Sequence, residues 1–123
     1  MLNPYELEFI NKFIVNEKKN RIIYEFSNMN KRKDALMRFA HDVDKIINKN
    51  NVLCRYNIDN IDIEIKGNVY IISLLKLNGE YCSYEQAIEH LKEQYIQVII
   101  IGDEISIIKT ENEDLKENIF VLK

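Results

Sequence analysis

His41 has the side chain best suited to acid–base work in this 123-residue chain. It follows Asp34 and Arg38 and precedes Lys45 at separations that a helix of 3.6 residues per turn gathers on one side. Cationic neighbours favour the neutral ring, the form that serves as a general base or meets a phosphate. The sequence ties no nucleophile or second histidine to it. With Asp34 it supplies two metal ligands, where a closed site takes four. A solvent-facing histidine is the simpler reading. Cys82 is the other candidate for catalysis. It stands just before Ser83, a helix-capping residue, and a helix N-terminus lowers a thiol pKa and makes it reactive. His90, two turns up that helix, is too distant to be its base. Cys54 has still less around it, and two cysteines make neither a disulfide framework nor a four-cysteine zinc site.

Basic residues form the third group. Lys31, Arg32, Lys33, Arg38 and Lys45, with Lys18, Lys19 and Arg21 nearby, suit nucleic-acid phosphates or another anionic surface. Tyr24 is the one close aromatic for base stacking. The competing reading is a solvated helix face braced by an Asp34–Arg38 pair at i,i+4. Together with His41, the residues Lys31, Arg32, Lys33, Arg38 and Lys45 are the candidate binding set. The acidic residues Asp103, Glu104, Glu111, Glu113, Asp114 and Glu117 fall in turns without the D-x-D-x-D-G spacing of a calcium loop. Three glycines, at 67, 79 and 102, can write neither a P-loop nor a dinucleotide fingerprint. No metal and no cofactor is expected.

The elements that must position these residues follow from periodicity. Asn3 caps a first helix, with Pro4 at its first position, Glu6 where a capping-box acid belongs, and Leu2 and Leu7 as a hydrophobic staple. Phe9, Ile10, Phe13 and Ile14 form its apolar face. A second helical piece carries Ile22, Ile23 and Phe26. The third helix, about 31–48, has Leu36, Phe39, Ala40, Val43, Ile46 and Ile47 in one stripe, opposite Asp34, Arg38, His41 and Lys45. Residues 57–66 fit a helix or a short irregular piece better than a strand. Val69–Leu77 is a strand closed by the turn pair Asn78-Gly79. Ser83–Gln86 is a capping box opening a helix faced by Ala87, Ile88, Leu91 and Tyr95. Ile96–Ile101, Ile105–Thr110 and Asn118–Leu122 are strands whose short connections make them antiparallel neighbours. The first of these is apolar on both faces and belongs at the sheet's centre; the last belongs nearer an edge, open to a second copy.

The order of elements specifies an α+β fold: N-terminal helices on a C-terminal antiparallel sheet of about four strands, with one further helix. Length fits a single domain over 1–123, helical through 1–50 and strand-helix-meander through 67–123. A hydrophobic content of 46% excludes disorder as the main state. No apolar run is long enough to span a membrane, and acids stand where a signal peptide would carry bases, so a cytoplasmic location is expected. Net charge is −3, unevenly spread. Residues 1–56 hold 11 Lys and Arg against 7 Asp and Glu; residues 57–123 hold 6 against 13. A basic half joined to an acidic half is consistent with an anionic partner for one of them, with mutual attraction, or with no functional meaning.

The stretch FIVNEKKNRIIYEFSNMNKRKDALMRFAHD, through Arg21, Lys31, Arg32, Lys33, Phe39, Ala40, His41 and Asp42, resembles the opening of a family of small uncharacterised bacterial proteins. That opening is a basic helix, a run ending in "LAH", and an acid soon after. VYIISLLKLNGEYCSYEQAIEHL is similar to the family's strand, turn and helix, and IIIGDEISIIKTE to its next hairpin. Family members often carry Cys-x-Pro before the hairpin glycine; here Ile99-Ile100-Ile101 stand there, and no cysteine role carries over. The resemblance implies a bacterial, cytosolic, single-domain protein and supplies no activity. The function expected from the residues is non-catalytic protein binding, of an inhibitor, immunity or regulatory kind, with a protein partner or self-association through a sheet edge. The alternative is a nucleic-acid binder or weak nuclease using the basic face and His41.

Overall fold

The capping signal at Asn3 is used: its side chain accepts the Tyr5 N–H at 2.8 Å and starts α1, Pro4–Phe13. A computed structural model describes residues 2–73, 77–93, 97–111 and 117–123. Two more helices follow, α2 (Asn16–Ser27) and α3 (Met29–Ile46). The stripe on α3 is buried as its spacing requires, from Leu36 through Phe39, Ala40 and Val43 to Ile46, with Ile47 just beyond. The ends of α1 and α3 are tied by backbone bonds, Val15 N–H to the Ile46 carbonyl at 2.9 Å and Asn48 N–H to the Phe13 carbonyl at 2.7 Å. Helical geometry lapses at Asp42. Close by, the Ala40 carbonyl accepts the Glu111 N–H at 3.2 Å, joining the helix to the end of a strand.

Among the described residues, six antiparallel strands form one sheet, in the order β1 (Val52–Tyr56), β6 (Ile119–Leu122), β5 (Ser106–Lys109), β4 (Val98–Ile101), β2 (Asn68–Ser73) and β3 (Tyr81–Ser83). The α+β class stands, but the sheet has two strands more than the four expected. Both are edges. β1 escapes period-two reading because a bulge between Val52 and Cys54 breaks its alternation. β3 is three residues long and adjoins the capping box of the next helix. With β1 in place, β6 lies inside the sheet, its four residues all buried, rather than at the edge. β4 is interior and wholly buried, in keeping with its unbroken apolar run.

Alternation along the strands divides the apolar residues between two clusters. Tyr70, Ile72, Ile99, Ile101, Ile108, Phe120 and Leu122 join residues of α1, α2 and α3. Val69, Ile71, Val98, Ile100, Ile107, Ile119 and Val121 join Ala87 and Leu91 of α4 (Tyr84–Glu93). Residues 57–66 begin with a 3-10 turn at Ile58–Asn60 and continue without regular structure, while Ile58, Ile61, Ile63 and Ile65 pack on this second cluster. The capping box of α4 is formed: Gln86 N–H donates to Ser83 Oγ and Ser83 N–H to Gln86 Oε1, both at 3.2 Å. Tyr95, residues 74–76 of the expected strand, and the turn acids Glu113 and Asp114 lie outside the described residues.

Glu6 departs from its expected task. Instead of closing a capping box, it is 3% exposed and accepts both Arg32 terminal nitrogens, at 2.6 and 2.7 Å, and the Tyr70 hydroxyl at 2.5 Å. Arg32 also donates to the Phe26 carbonyl and to Asn78 Oδ1, while Asn78 Oδ1 accepts the Ser73 N–H. Tyr70 stacks on Tyr5 with centroids 5.8 Å apart and meets Tyr81 edge-on at 5.3 Å. Burial pushes the Tyr70 hydroxyl well above its ordinary pKa, and the bond to Glu6 adds to the shift. Of the two expected staple residues, Leu2 packs on the helical cluster and Leu7 is 38% exposed.

Removing one member of a buried pair strands the other's charge. Glu6→Ala is therefore expected to lower unfolding free energy by about 3–5 kcal/mol in urea titration, and Glu6→Leu combined with Arg32→Leu by less than the summed single losses. A loss below about 1 kcal/mol for Glu6→Ala, in the range of exposed pairs, would deny the network its structural role.

Candidate binding groove between α2 and α3

The candidate binding set separates once its surroundings are described. Arg32 is turned to Glu6. Lys31, Lys33, His41 and Lys45 are exposed along α3, and His41 and Lys45 are so on the side expected to oppose the apolar stripe. Arg38 pairs with Glu25 of α2 in place of Asp34, the partner expected from spacing alone. Glu25, 5% exposed, also faces Arg21 Nε at 3.4 Å. Two guanidiniums thus converge on a single carboxylate oxygen at the seam of the two helices. A carboxylate buried this far needs such partners to remain ionised at low cost.

Beside that seam runs a groove of about 360 Å³. Lys18, Arg21, Arg38 and Lys45 form its walls, Glu17 and Asp42 temper their charge, and Ile22 and Ile46 line it with apolar surface. Asp42, where α3 loses helical geometry, is part of this lining. With Glu25 at the seam, four cations stand against three carboxylates, which leaves a mildly positive concavity over nearly buried Ile22 and Ile46, a chemistry suited to an acidic ligand. Sequence spacing had assembled Arg38 and Lys45 on one helix face. The contribution of Lys18 and Arg21 from the neighbouring helix, and the role of Ile22 and Ile46 as a groove lining as well as core, required the packing of α2 on α3.

His90 and Cys82 lie elsewhere, on the α4 side of the sheet. His90, which the sequence places too far along the helix to serve Cys82, is 6% exposed, with Nε2 3.3 Å from Ser73 Oγ. Burial lowers its pKa; Glu93 opposes the shift and Lys109 reinforces it. Lys109, also buried, donates from Nζ to the Leu91 carbonyl at 2.7 Å, and burial lowers its pKa too. Cys82 pairs with Val69 on β2 and belongs to the α4-side apolar cluster. Its thiol pKa is raised, first by burial and then by Glu80, opposite to the effect anticipated from a helix N-terminus. His41 lies on the outer face of α3. No hydrogen bond links Cys82 to either histidine among the described residues, and these residues contain no cluster of three or more metal-ligating side chains. No described helix is long and apolar enough to cross a membrane.

These environments set two expectations. His90 titrates near 6.5 when unfolded and lower when folded. Above that pH both states are neutral and the contribution to stability is complete. As pH falls through about 6.5 the unfolded chain takes up the proton first, and stability declines toward the folded value. Urea midpoints should therefore fall between about pH 7 and 5, and fall less steeply in His90→Gln; identical slopes would refute the assignment. In iodoacetamide labelling at neutral pH, half-buried Cys54 should react before buried Cys82, with peptide mass mapping as the readout. Compared with protein-family models, curated proteins and solved structures, the chain matches none.

Proposed function

We propose that the protein is a non-catalytic binding module, acting as a single cytoplasmic domain with its helical part laid on the sheet, which takes an acidic segment of a protein partner into the α2–α3 groove. An inhibitor or regulatory role follows from such binding without chemistry. One observation carries the reading: cations from two helices converge on a groove with apolar lining, and their guanidiniums are already oriented by Glu25. Preorganised charge saves the ordering cost that flexible side chains incur on binding. Arg38, expected from the sequence to belong to the binding face, reaches the groove while held on Glu25. A nucleic-acid partner is the second reading. It is favoured by exposed Lys31, Lys33 and His41 on α3, and by Tyr24, 61% exposed on α2.

Fluorescence polarisation with two labelled probes separates the readings. One is a short Glu/Asp-rich peptide containing leucine, the other a single-stranded oligonucleotide. Peptide binding that weakens roughly tenfold or more in Lys18→Glu/Lys45→Glu is expected. Tight, steeply salt-dependent oligonucleotide binding with no peptide binding would replace the first reading with the second. Binding of neither probe would remove the groove as a binding surface.

A further inference from the structure

The molecule also carries a knob of the chemistry its groove would receive. Asp103 and Glu104 stand exposed at the β4–β5 turn, followed by half-buried Ile105. The turn is preformed: the Gly102 N–H donates to the Ile105 carbonyl at 3.0 Å. Gly102 is fixed by its surroundings, since an added Cβ would lie 2.7 Å from Ile65 and 2.8 Å from the Ile105 carbonyl oxygen. Glu64 and Lys66 lie beside Asp103 and Glu104 around a concavity of about 430 Å³, and Glu8 and Lys12 of α1 line a smaller cleft with the same pair. The acids outnumber the lysines there, and the tip of the turn, Asp103 and Glu104, is negative.

We infer that the groove's partner is a second copy of this chain, which inserts its Asp103–Ile105 turn between Lys18, Arg21, Arg38 and Lys45. The inference rests on the reading of the groove as a binding surface and identifies the acidic segment. Charge complementarity is its argument. Two exposed acids on a short hydrogen-bonded turn complement the four cations that line the groove, and the same opposition recurs between the basic and acidic halves of the chain. Groove and turn are different surfaces, so the contact is heterologous: copies join head to tail, forming rings if the rotation closes and open chains if it does not. Attraction between exposed charges is screened beyond about 10 Å at 0.1 M salt, so assembly belongs to low ionic strength.

Sedimentation velocity on the full chain tests this at low and high salt. Mass should rise with concentration at low salt and return to that of a single chain at high salt. Two variants provide the decisive arm. In Lys18→Glu/Lys45→Glu, turn and groove are both acidic; in Asp103→Lys/Glu104→Lys both are basic. Each should be monomeric alone, and their mixture should associate, because the intact turn of the first can enter the intact groove of the second. Circular dichroism confirms that both variants fold; all four positions lie at least partly exposed. A wild-type chain that stays monomeric at low salt overturns the inference. So does association that survives in either variant alone, which would place the contact at another surface such as the β1 edge. If the wild type is monomeric but still binds the acidic peptide, the self-association fails and the groove's function stands; if peptide binding fails as well, both fall.

Discussion

A carboxylate placed beneath the helices obliges the chain to bring it a guanidinium and a phenol. Glu6 is that carboxylate, and its demand organises the molecule. Isolated, a buried charge costs several kcal/mol; in a bidentate pair with a further hydroxyl, most of that cost is offset. The partners come from separate elements: Arg32 from the first turns of α3, Tyr70 from β2. Arg32 then reaches Asn78 in the loop that leads to β3. α1, α3 and one end of the sheet are thereby registered on a single ion pair. The loop has its own requirement, for Leu77 sits in the left-handed region at φ 68, a conformation glycine adopts far more readily. The network is not perfectly satisfied, since Arg32 Nε is buried without a hydrogen bond among the described residues.

A second buried glutamate repeats the arrangement on a smaller scale. Glu25 collects Arg21 and Arg38 as Glu6 collects Arg32. Both carboxylates draw arginine rather than lysine, as expected for partly buried pairs, where a planar fork gives directed hydrogen bonds and is more weakly hydrated. The lysines of α2 and α3 pair with neither buried glutamate. Positive charge therefore has two kinds of address in this protein, one fixed by internal carboxylates and one presented along α2 and α3. A count of basic residues along the chain merges the two.

What the sequence revealed follows from how local each signal is. The Asn3 and Ser83 caps and the stripe from Leu36 to Ile47 depend on neighbours within a few positions, and these were readable. The centrality of β4 was readable too, because burial on both faces leaves an unbroken apolar run. Glu6 was misread because the spacing of a capping box is indistinguishable from that of a residue pointed inward at a partner 26 positions away. Asp34 looked like Arg38's partner for the same reason, since a helix-local pair is visible in sequence and a pair across two helices is not. β1 was hidden by its bulge and β3 by its brevity. Half the groove was visible as a basic face on α3; the other half belongs to α2 and comes into register only through packing.

The position of β1 has a consequence for the order in which the sheet is made. Its neighbour is β6, with Val52 opposite Leu122, and the Asn51 side chain meets the Lys123 carbonyl across 72 residues of chain. Such a contact closes a very long loop before it gains any stabilisation, and contacts of this kind are the slow ones in folding. The helices and the β4–β5 hairpin depend on nearer partners. β1 must wait, with Leu53 still 56% exposed even in the finished fold. During synthesis a strand made early remains unpaired until nearly all the residues between it and its partner have emerged. Once β6 has paired, the bulge that conceals β1 from a period-two reading also breaks the flat edge that a neighbouring chain would extend.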